Sequence, residues 1–424
     1  MNGTPWSGTL ARRSVVVALS SLAVIVAYTD RVNISVAAVA MRDQFGWTQT
    51  QKALVLSSFY GGYLLSMFAS GWLANRFGGR RVLGIAMVVW SLCTLGTPPA
   101  ARISLAALIA MRVAMGIGEG AVFPAAIELF ARWVPLHERA RSVAWLMNGI
   151  AAGTVIGLAA SGWLVGRWDW PAPFYAFGVV GLGLAVLWFA AIADDPATDP
   201  RIGADERELL AMHCAPRDAA APVPWRQLLL RAPLGAIVAA HFASTWTLYL
   251  LLSWLPSYFR DAQGVTLASA GLYSSGPWIA MLAVTTAAGQ VSDALIRRGA
   301  AVTRVRQLMQ CGGLVVSGLL LLAARDVHSA LGAFAILCAA TGALGTVWLG
   351  YAPGIIDVAP RHSALVSGVS NSIAQLPGLV GVAVTGWLLD ITGTYAAAFA
   401  LTAIVSAAGA LAFGLWFRAR PLVE

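Results

Sequence analysis

Residues 71–81 read GWLANRFGGRR, and residues 289–299 read GQVSDALIRRG. Each follows an apolar run, opens on glycine and carries paired arginines at or next to its end. A second pair of stretches does the same: SGWLVGRWDWPAPFYAFG at 161–178 returns as TGWLLDITGTYAAAFALT at 385–402. The offsets of the two pairs, 218 and 224, nearly agree, so the chain reads as one unit written twice. Working outward from these stretches, apolar runs long enough to cross a bilayer fall at about 14–40, 53–74, 82–98, 103–131, 140–165 and 172–193. Six more follow at about 233–257, 270–293, 307–324, 328–352, 363–388 and 395–417. The longest polar interval, 194–232, divides six spans from six. The expected fold class is an all-α polytopic membrane protein of 12 transmembrane helices in two pseudo-symmetric six-helix bundles. Its expected divisions are an N-terminal bundle (1–193), a cytoplasmic linker (194–232) and a C-terminal bundle (233–424), with the binding site between the parallel repeats. Within the linker, DERELLAMH at 205–213 fits either a short amphipathic helix at the membrane surface or plain flexible chain.

Composition supports this reading. Of 424 residues, 58% are hydrophobic and only 11% charged, less than half the charged share of a usual soluble domain. The net charge of +9 is spread singly or in small clusters between apolar runs, which encodes topology, and no nucleic-acid partner is expected. Twenty of the 28 basic residues fall in alternate segments on one side, 6 on the other, and 2, Arg31 and Arg112, within spans. The bias places both termini in the cytoplasm. Lys52 is the sole lysine, and no P-loop exists, so a built-in ATPase is excluded. Cys93, Cys214, Cys311 and Cys338 show no paired spacing for a disulfide framework or a zinc site. The first apolar run is long enough to span and lacks an A-x-A-like end, so no cleavable signal is expected. Without G-x-S-x-G, H-E-x-x-H or C-x-x-C, the chain is not expected to be an enzyme.

Four charges sit where the neighbours are hydrocarbon. Asp30 and Arg31 stand side by side in VAYTDRVNISVA at 26–37. A charge at the bilayer centre costs at least about 2.5–3.5 kcal/mol. Adjacent residues on a helix point roughly 100° apart and do not face each other, so each needs a partner from another helix or from a ligand. Span 4, RVAMGIGEGAVFPA at 112–125, adds Arg112 and Glu119, seven residues and about 10 Å apart on one face. Gly116, Gly118 and Gly120 let a neighbouring helix approach closely. GIGEG follows no strand and is not a nucleotide-binding loop; a purely structural Arg112–Glu119 network is the alternative to a binding role. Two guanidinium groups, which grip carboxylates through paired hydrogen bonds, and two carboxyls able to take up protons suit an organic anion carried together with protons.

The motifs narrow this further. Tyr28, Asp30, Arg31 and Asn33 form Y-x-D-R-x-N; Arg112, Glu119, Gly120, Phe123, Pro124 and Ala125 form R-x6-E-G-x2-[FY]-P-A. Both resemble the anion:cation symporter family of the major facilitator superfamily. That family includes bacterial hexuronate, galactonate, glucarate and phthalate transporters, and animal sialin and vesicular glutamate transporters. WVPLHERARS at 133–142, LYLLLSWLPSYF at 248–259, GVSNSIAQLPGLVG at 368–381 and DDPATDPRI at 194–202 are similar to the same family. The resemblance implies the major facilitator fold, with Arg31 and Arg112 on the substrate carboxylate and Asp30 and Glu119 coupling protons. It further implies Tyr28 and Tyr63 lining one half of the pocket and Asn371 binding substrate hydroxyls from the other. Asn148, Trp246, Tyr249, Tyr351 and Gln375 are further lining candidates, with ordinary helix packing as the alternative for the aromatics. The loop after span 2 departs from the superfamily's G-x-L-x-D-R-x-G-R-[KR]: Asn75 takes the acidic position, while the second copy keeps Asp293. Arg76, Gly79, Arg80 and Arg81 are read as gating and topology residues. His241 is read as a packing residue, and Glu128 as a partner of a loop arginine. The expected protein is a monomeric proton-coupled symporter of a sugar acid or other small carboxylate in the bacterial inner membrane. No cofactor beyond the coupling proton is expected, and no metal. Drug or metabolite:proton efflux is the alternative, disfavoured because such pumps more often offer acidic and aromatic cavities to cations.

Overall fold

The computed structural model describes residues 11–213, 232–359 and 362–420. Most of the expected linker (214–231), with Cys214, lies outside the described residues. Six spans come from the first half: α1 (Arg12–Phe45), α2 (Gln49–Phe77), α3 (Gly79–Ile103), α4 and α5 (Leu105–Glu119 and Val122–Trp133), α6 (Leu136–Arg167) and α7 (Ala172–Ala191). A short α8 (Ala204–His213) follows, so the DERELLAMH segment is helical. Six more spans are α9 (Ala232–Asp261), α10 (Leu267–Arg297), α11 (Val302–Ala324), α12 and α13 (Ala330–Gly345 and Tyr351–Val358), α14 and α15 (Ser363–Ala374 and Leu376–Thr392) and α16 (Ala396–Trp416). Apolar side chains cover nearly the whole circumference of these helices, as they must where both neighbours and lipid are hydrocarbon and each backbone has to satisfy itself.

Three spans expected as single helices are each two, and proline chemistry explains the breaks. Pro124, Pro353 and Pro377 offer no N–H to the carbonyls of Gly120, Leu349 and Ile373, four residues earlier. The interruptions fall at Gly120–Ala121, at the 3-10 turn Thr346–Leu349 and at Gln375. Proline alone does not suffice, since Pro98, Pro99, Pro256 and Pro277 lie inside continuous helices. α2 bends by 50° between Met67 and Ala69. There the Ser66 and Ser70 hydroxyls donate to the carbonyls of Tyr63 and Ser66, a pattern that bends helices.

The helix ends define two faces. Arg12 and Trp416 lie on one, here the terminal face; the α1–α2 and α9–α10 turns lie on the other, the far face. Side-chain N-caps start four of the six helices that leave the far face: Thr48, Ser104, Thr266 and Ser329 each accept a backbone N–H in the next turn. The two sets of spans meet where α2 packs on α15, α6 on α10 and α1 on α9. Glycines make the closest approaches near the far face. A Cβ on Gly271 would lie 2.6 Å from the Leu158 carbonyl, and one on Gly386 would lie 2.3 Å from Ala53 Cβ. The terminal face stays open between the two sets.

Candidate functional site

The opening leads to a cavity of about 1670 Å³ between the two sets of helices. Its far-face end is floored by Arg31, which lies beside the rings of Tyr28, Phe59 and Tyr63 at 4.4, 4.7 and 4.8 Å. A guanidinium over aromatic faces gains cation–π attraction without losing its in-plane donors. Arg31 Nε and Nη2 both donate to one oxygen, Glu119 Oε2, at 3.1 and 2.9 Å. The other oxygen, Glu119 Oε1, is buried and has no hydrogen-bond partner among the described residues. The α4–α5 break places Glu119 at a helix end, beside Gly120. A Cβ on Gly120 would lie 2.1 Å from Ser66 Oγ, which shows how tightly this turn meets α2.

Asp30 points away from Arg31, as their adjacency on one helix requires. It is fully buried, and among the described residues neither oxygen meets hydrogen-bond geometry; Trp90 and Thr94 of α3 are the polar groups beside it, and Glu119 and Arg112 the charges acting on it. Arg112 is also buried: its Nη1 donates to Met115 Sδ at 3.0 Å, and its guanidinium lies 5.2 Å from the Phe59 ring. Glu119 therefore pairs with Arg31 of span 1, not with Arg112 about two turns away on its own helix. Arg112 does not line the main cavity. It reaches a separate void of about 10 Å³, shared with Arg31, Ser35, Tyr60 and Ser253 on the far-face side of Arg31.

Of the remaining expected residues, Tyr28, Tyr63, Asn75 and Asn148 line the cavity from the first half, and Tyr249, Asn371 and Gln375 from the second. The Tyr249 hydroxyl donates to Gln375 Oε1 at 2.5 Å, and its ring lies 4.5 Å from that of Tyr60, closing the floor across the two halves. Trp246 is not in the lining; it packs against Gly381. Tyr351 stacks on His241 at 4.0 Å, behind the wall. His241, read as a packing residue, lines the cavity, with Nδ1 hydrogen-bonded to Ser370 Oγ at 2.8 Å. Thr245, one turn along α9, lines it too. The signal for both was the four-residue spacing His241–Thr245–Tyr249, which marks one face of a helix.

At the terminal mouth, Glu128 accepts from Arg132 Nε at 2.6 Å and from the Gly79 amide at 2.6 Å. Arg80 and Arg81 both reach Asp194, while Arg76 lies against Trp72 and Phe77, and Asp293 is exposed. The segment carrying α8 is tied to α1: Arg12 donates to Asp199 at 3.0 Å, and the Arg12 and Arg13 amides donate to Glu206. Burial pushes the Asp199 carboxyl up, but hydrogen bonds from Arg201 and Arg12 outweigh it and hold the group below the usual carboxylate range.

The sequence profile of the Major Facilitator Superfamily matches residues 20–382. The chloroplastic sodium-dependent phosphate transport protein 1 of Arabidopsis thaliana is 36% identical over 386 residues, 91% of this chain and 75% of that protein. The chloroplastic ascorbate transporter of the same plant is 33% identical over 425 residues, 100% of this chain and 78% of that one. Among solved structures, a bacterial homologue of the human lysosomal transporter Spinster, in an inward-facing and occupied conformation, superposes with a TM-score of 0.81. Its identity is 18%, over 96% of this chain and 97% of that chain.

Proposed function

The chain belongs to the major facilitator superfamily of membrane transporters, and on that premise we propose that it carries a small organic anion, a sugar acid or similar carboxylate, together with protons. One observation carries the reading: Arg31, at the floor of the cavity, spends two donors on a single oxygen of Glu119. An incoming carboxylate offers two oxygens to the same fork and competes for it. Glu119, losing its cation, would be left as an unpaired buried charge unless it takes a proton. Anion binding and proton uptake are thereby coupled at one contact. Asp30 has no ion pair to break and accommodates a second proton without disturbing Arg31. Asn371, Gln375, Asn148 and the tyrosine hydroxyls supply donors and acceptors for a hydroxylated substrate. Ascorbate, the solute in one relative's name, is a hydroxylated organic anion, its charge carried on an enolate in place of a carboxylate.

The bias of basic residues supports placing the terminal face in the cytoplasm, with the cavity opening inward; the resemblance of DDPATDPRI at 194–202 to bacterial members of the symporter family supports a bacterial inner membrane. Alternating access then follows from rocking of the two halves about Arg31. The cationic floor weighs against drug:proton antiport, whose cationic cargo it would repel.

Thermal-shift measurement of the purified protein against gluconate, glucuronate, ascorbate and phosphate tests the proposal. At least one of these anions is expected to raise the melting temperature by several degrees. Arg31→Ala should abolish the shift. Stabilisation that survives Arg31→Ala unchanged, or none with any of the four, would remove the central claim.

A further inference from the structure

Lys52, the only lysine in the chain, has a placement that the central site does not explain. It lies on α2 near the far face and is 0% exposed. Its Nζ donates to Ser257 Oγ at 3.0 Å and sits 4.5 Å from the Trp254 ring. Both partners belong to α9, across the seam between the halves. The nearest carboxylates are engaged elsewhere: Asp43 and Asp261 with Arg42, and Asp390 with the Gln49 and Thr50 amides. Among the described residues, the Lys52 side chain is therefore a buried amine with one hydrogen bond and no ion pair. A methionine or leucine would pack there without the cost of desolvating a charge.

The seam gives the position a use. Both side-chain contacts of Lys52 lie on the opposite half, so parting of the far-face seal uncovers the amine and leaves it facing water, where a lysine is protonated. Directly below, Leu56, Phe59 and Tyr63 follow on α2 at helical spacing, two turns or about 10 Å to Phe59. Arg112 and Arg31 both lie over Phe59 and both reach the small void on the far-face side of the floor. Lys52, Arg112 and Arg31 thus form a descending series of cations along the seam, closed at present by Trp254, Ser257, Leu252 and Ser253 of α9.

We propose that Lys52 is an outer subsite for carboxylates, masked by Trp254 and Ser257 while the far-face gate is shut and presented to the incoming anion when it opens. This rests on the anion-transport reading above. A cation at a narrow mouth raises the capture rate of anions from that side, and its effect fades with salt. Its influence is one-sided, because an anion arriving from the terminal face reaches Arg31 without passing Lys52.

Proteoliposomes with defined orientation and labelled gluconate provide the test. Lys52→Met is expected to raise the KM for transport from the far face at least tenfold and to flatten its salt dependence. The KM from the terminal face should stay within twofold, which also shows that the variant is folded, and Lys52→Arg should restore most of the far-face KM. A sulfonated succinimidyl ester applied at the far face should acylate Lys52, and gluconate should slow the reaction. An unchanged far-face KM, an equal change on both faces, or acylation that gluconate does not slow overturns the subsite while leaving gluconate transport by the parent intact. Absence of transport by the parent of gluconate, glucuronate, ascorbate and phosphate alike overturns the anion reading, and the subsite falls with it.

Discussion

Arg31 and Glu119 meet across two spans, and the contact has a measurable asymmetry. Arg31 keeps its charge under any physiological condition, so Glu119 is the member that changes state when an anion takes the guanidinium. Glu119→Gln removes that change but retains a side-chain oxygen within reach of Arg31. The variant is expected to bind gluconate and exchange it by counterflow at close to the parental rate. Accumulation driven by a pH gradient should drop at least tenfold. Gradient-driven uptake equal to the parent's would move proton coupling off Glu119. The cost of placing a charge in hydrocarbon made Asp30, Arg31, Arg112 and Glu119 legible in the chain. Their pairing was not legible. Seven-residue spacing put Arg112 and Glu119 on one face, yet Glu119 turns to Arg31, because partner choice depends on how α1 packs beside the α4–α5 break. His241 was likewise visible as a residue, and its four-residue spacing from Thr245 and Tyr249 marked a shared face, but that the face looks onto the cavity depends on what packs opposite.

Helices in this protein are interrupted where a proline removes the bond to a carbonyl four residues back and a glycine or polar residue tolerates the exposed group. Gly120 in span 4 and Thr346–Gly350 in span 10 fall at nearly matching places in the two repeats, so the interruptions obey the same internal symmetry as the sequence. The seal near the far face depends on the opposite device, helices with nothing between them. Gly162 and Gly271 bring α6 and α10 together so closely that a Cβ on either would lie within 3.0 Å of the other helix's backbone. Gly271→Leu should therefore wedge these helices apart and favour the state open at the far face. In a variant stripped of its four cysteines, a reporter cysteine replacing Ser257 should react with an impermeant thiol reagent at least fivefold faster when Gly271→Leu is added. Equal rates would show that α6 and α10 do not govern the seal. The proline and glycine positions were plain in the sequence. Which glycines touch was not, because contact requires knowing which helix lies opposite.

On the scale of the whole molecule, the two halves are held on the far face by polar contacts that all cross the seam. Arg42 of α1 makes a forked pair with Asp261 of α9 at 2.7 and 3.1 Å, and Asp390 of α15 caps the start of α2 at 2.8 Å from each of two amides. A forked pair partly open to water is worth on the order of 0.5–1 kcal/mol, or about a two- to fivefold change in the balance between two states. Asp261→Asn should shift the population towards far-face-open by that order, read by distance measurements between spin labels placed on the two halves. A distribution indistinguishable from the parent's would mean that the apolar and glycine contacts alone set the balance. The sequence by itself determined that this chain is a twelve-span helical membrane protein built of two repeats, because hydrocarbon admits only self-satisfied apolar helices and a repeat leaves the same pattern twice. It also determined which residues are costly enough to need a purpose. Tertiary structure alone decided which costly groups meet, that Arg31 and not Arg112 floors the open cavity, and that Lys52 is hidden in the closed gate. Those outcomes depend on contacts between helices far apart in the chain, and no local pattern along a single helix encodes what will be packed against it.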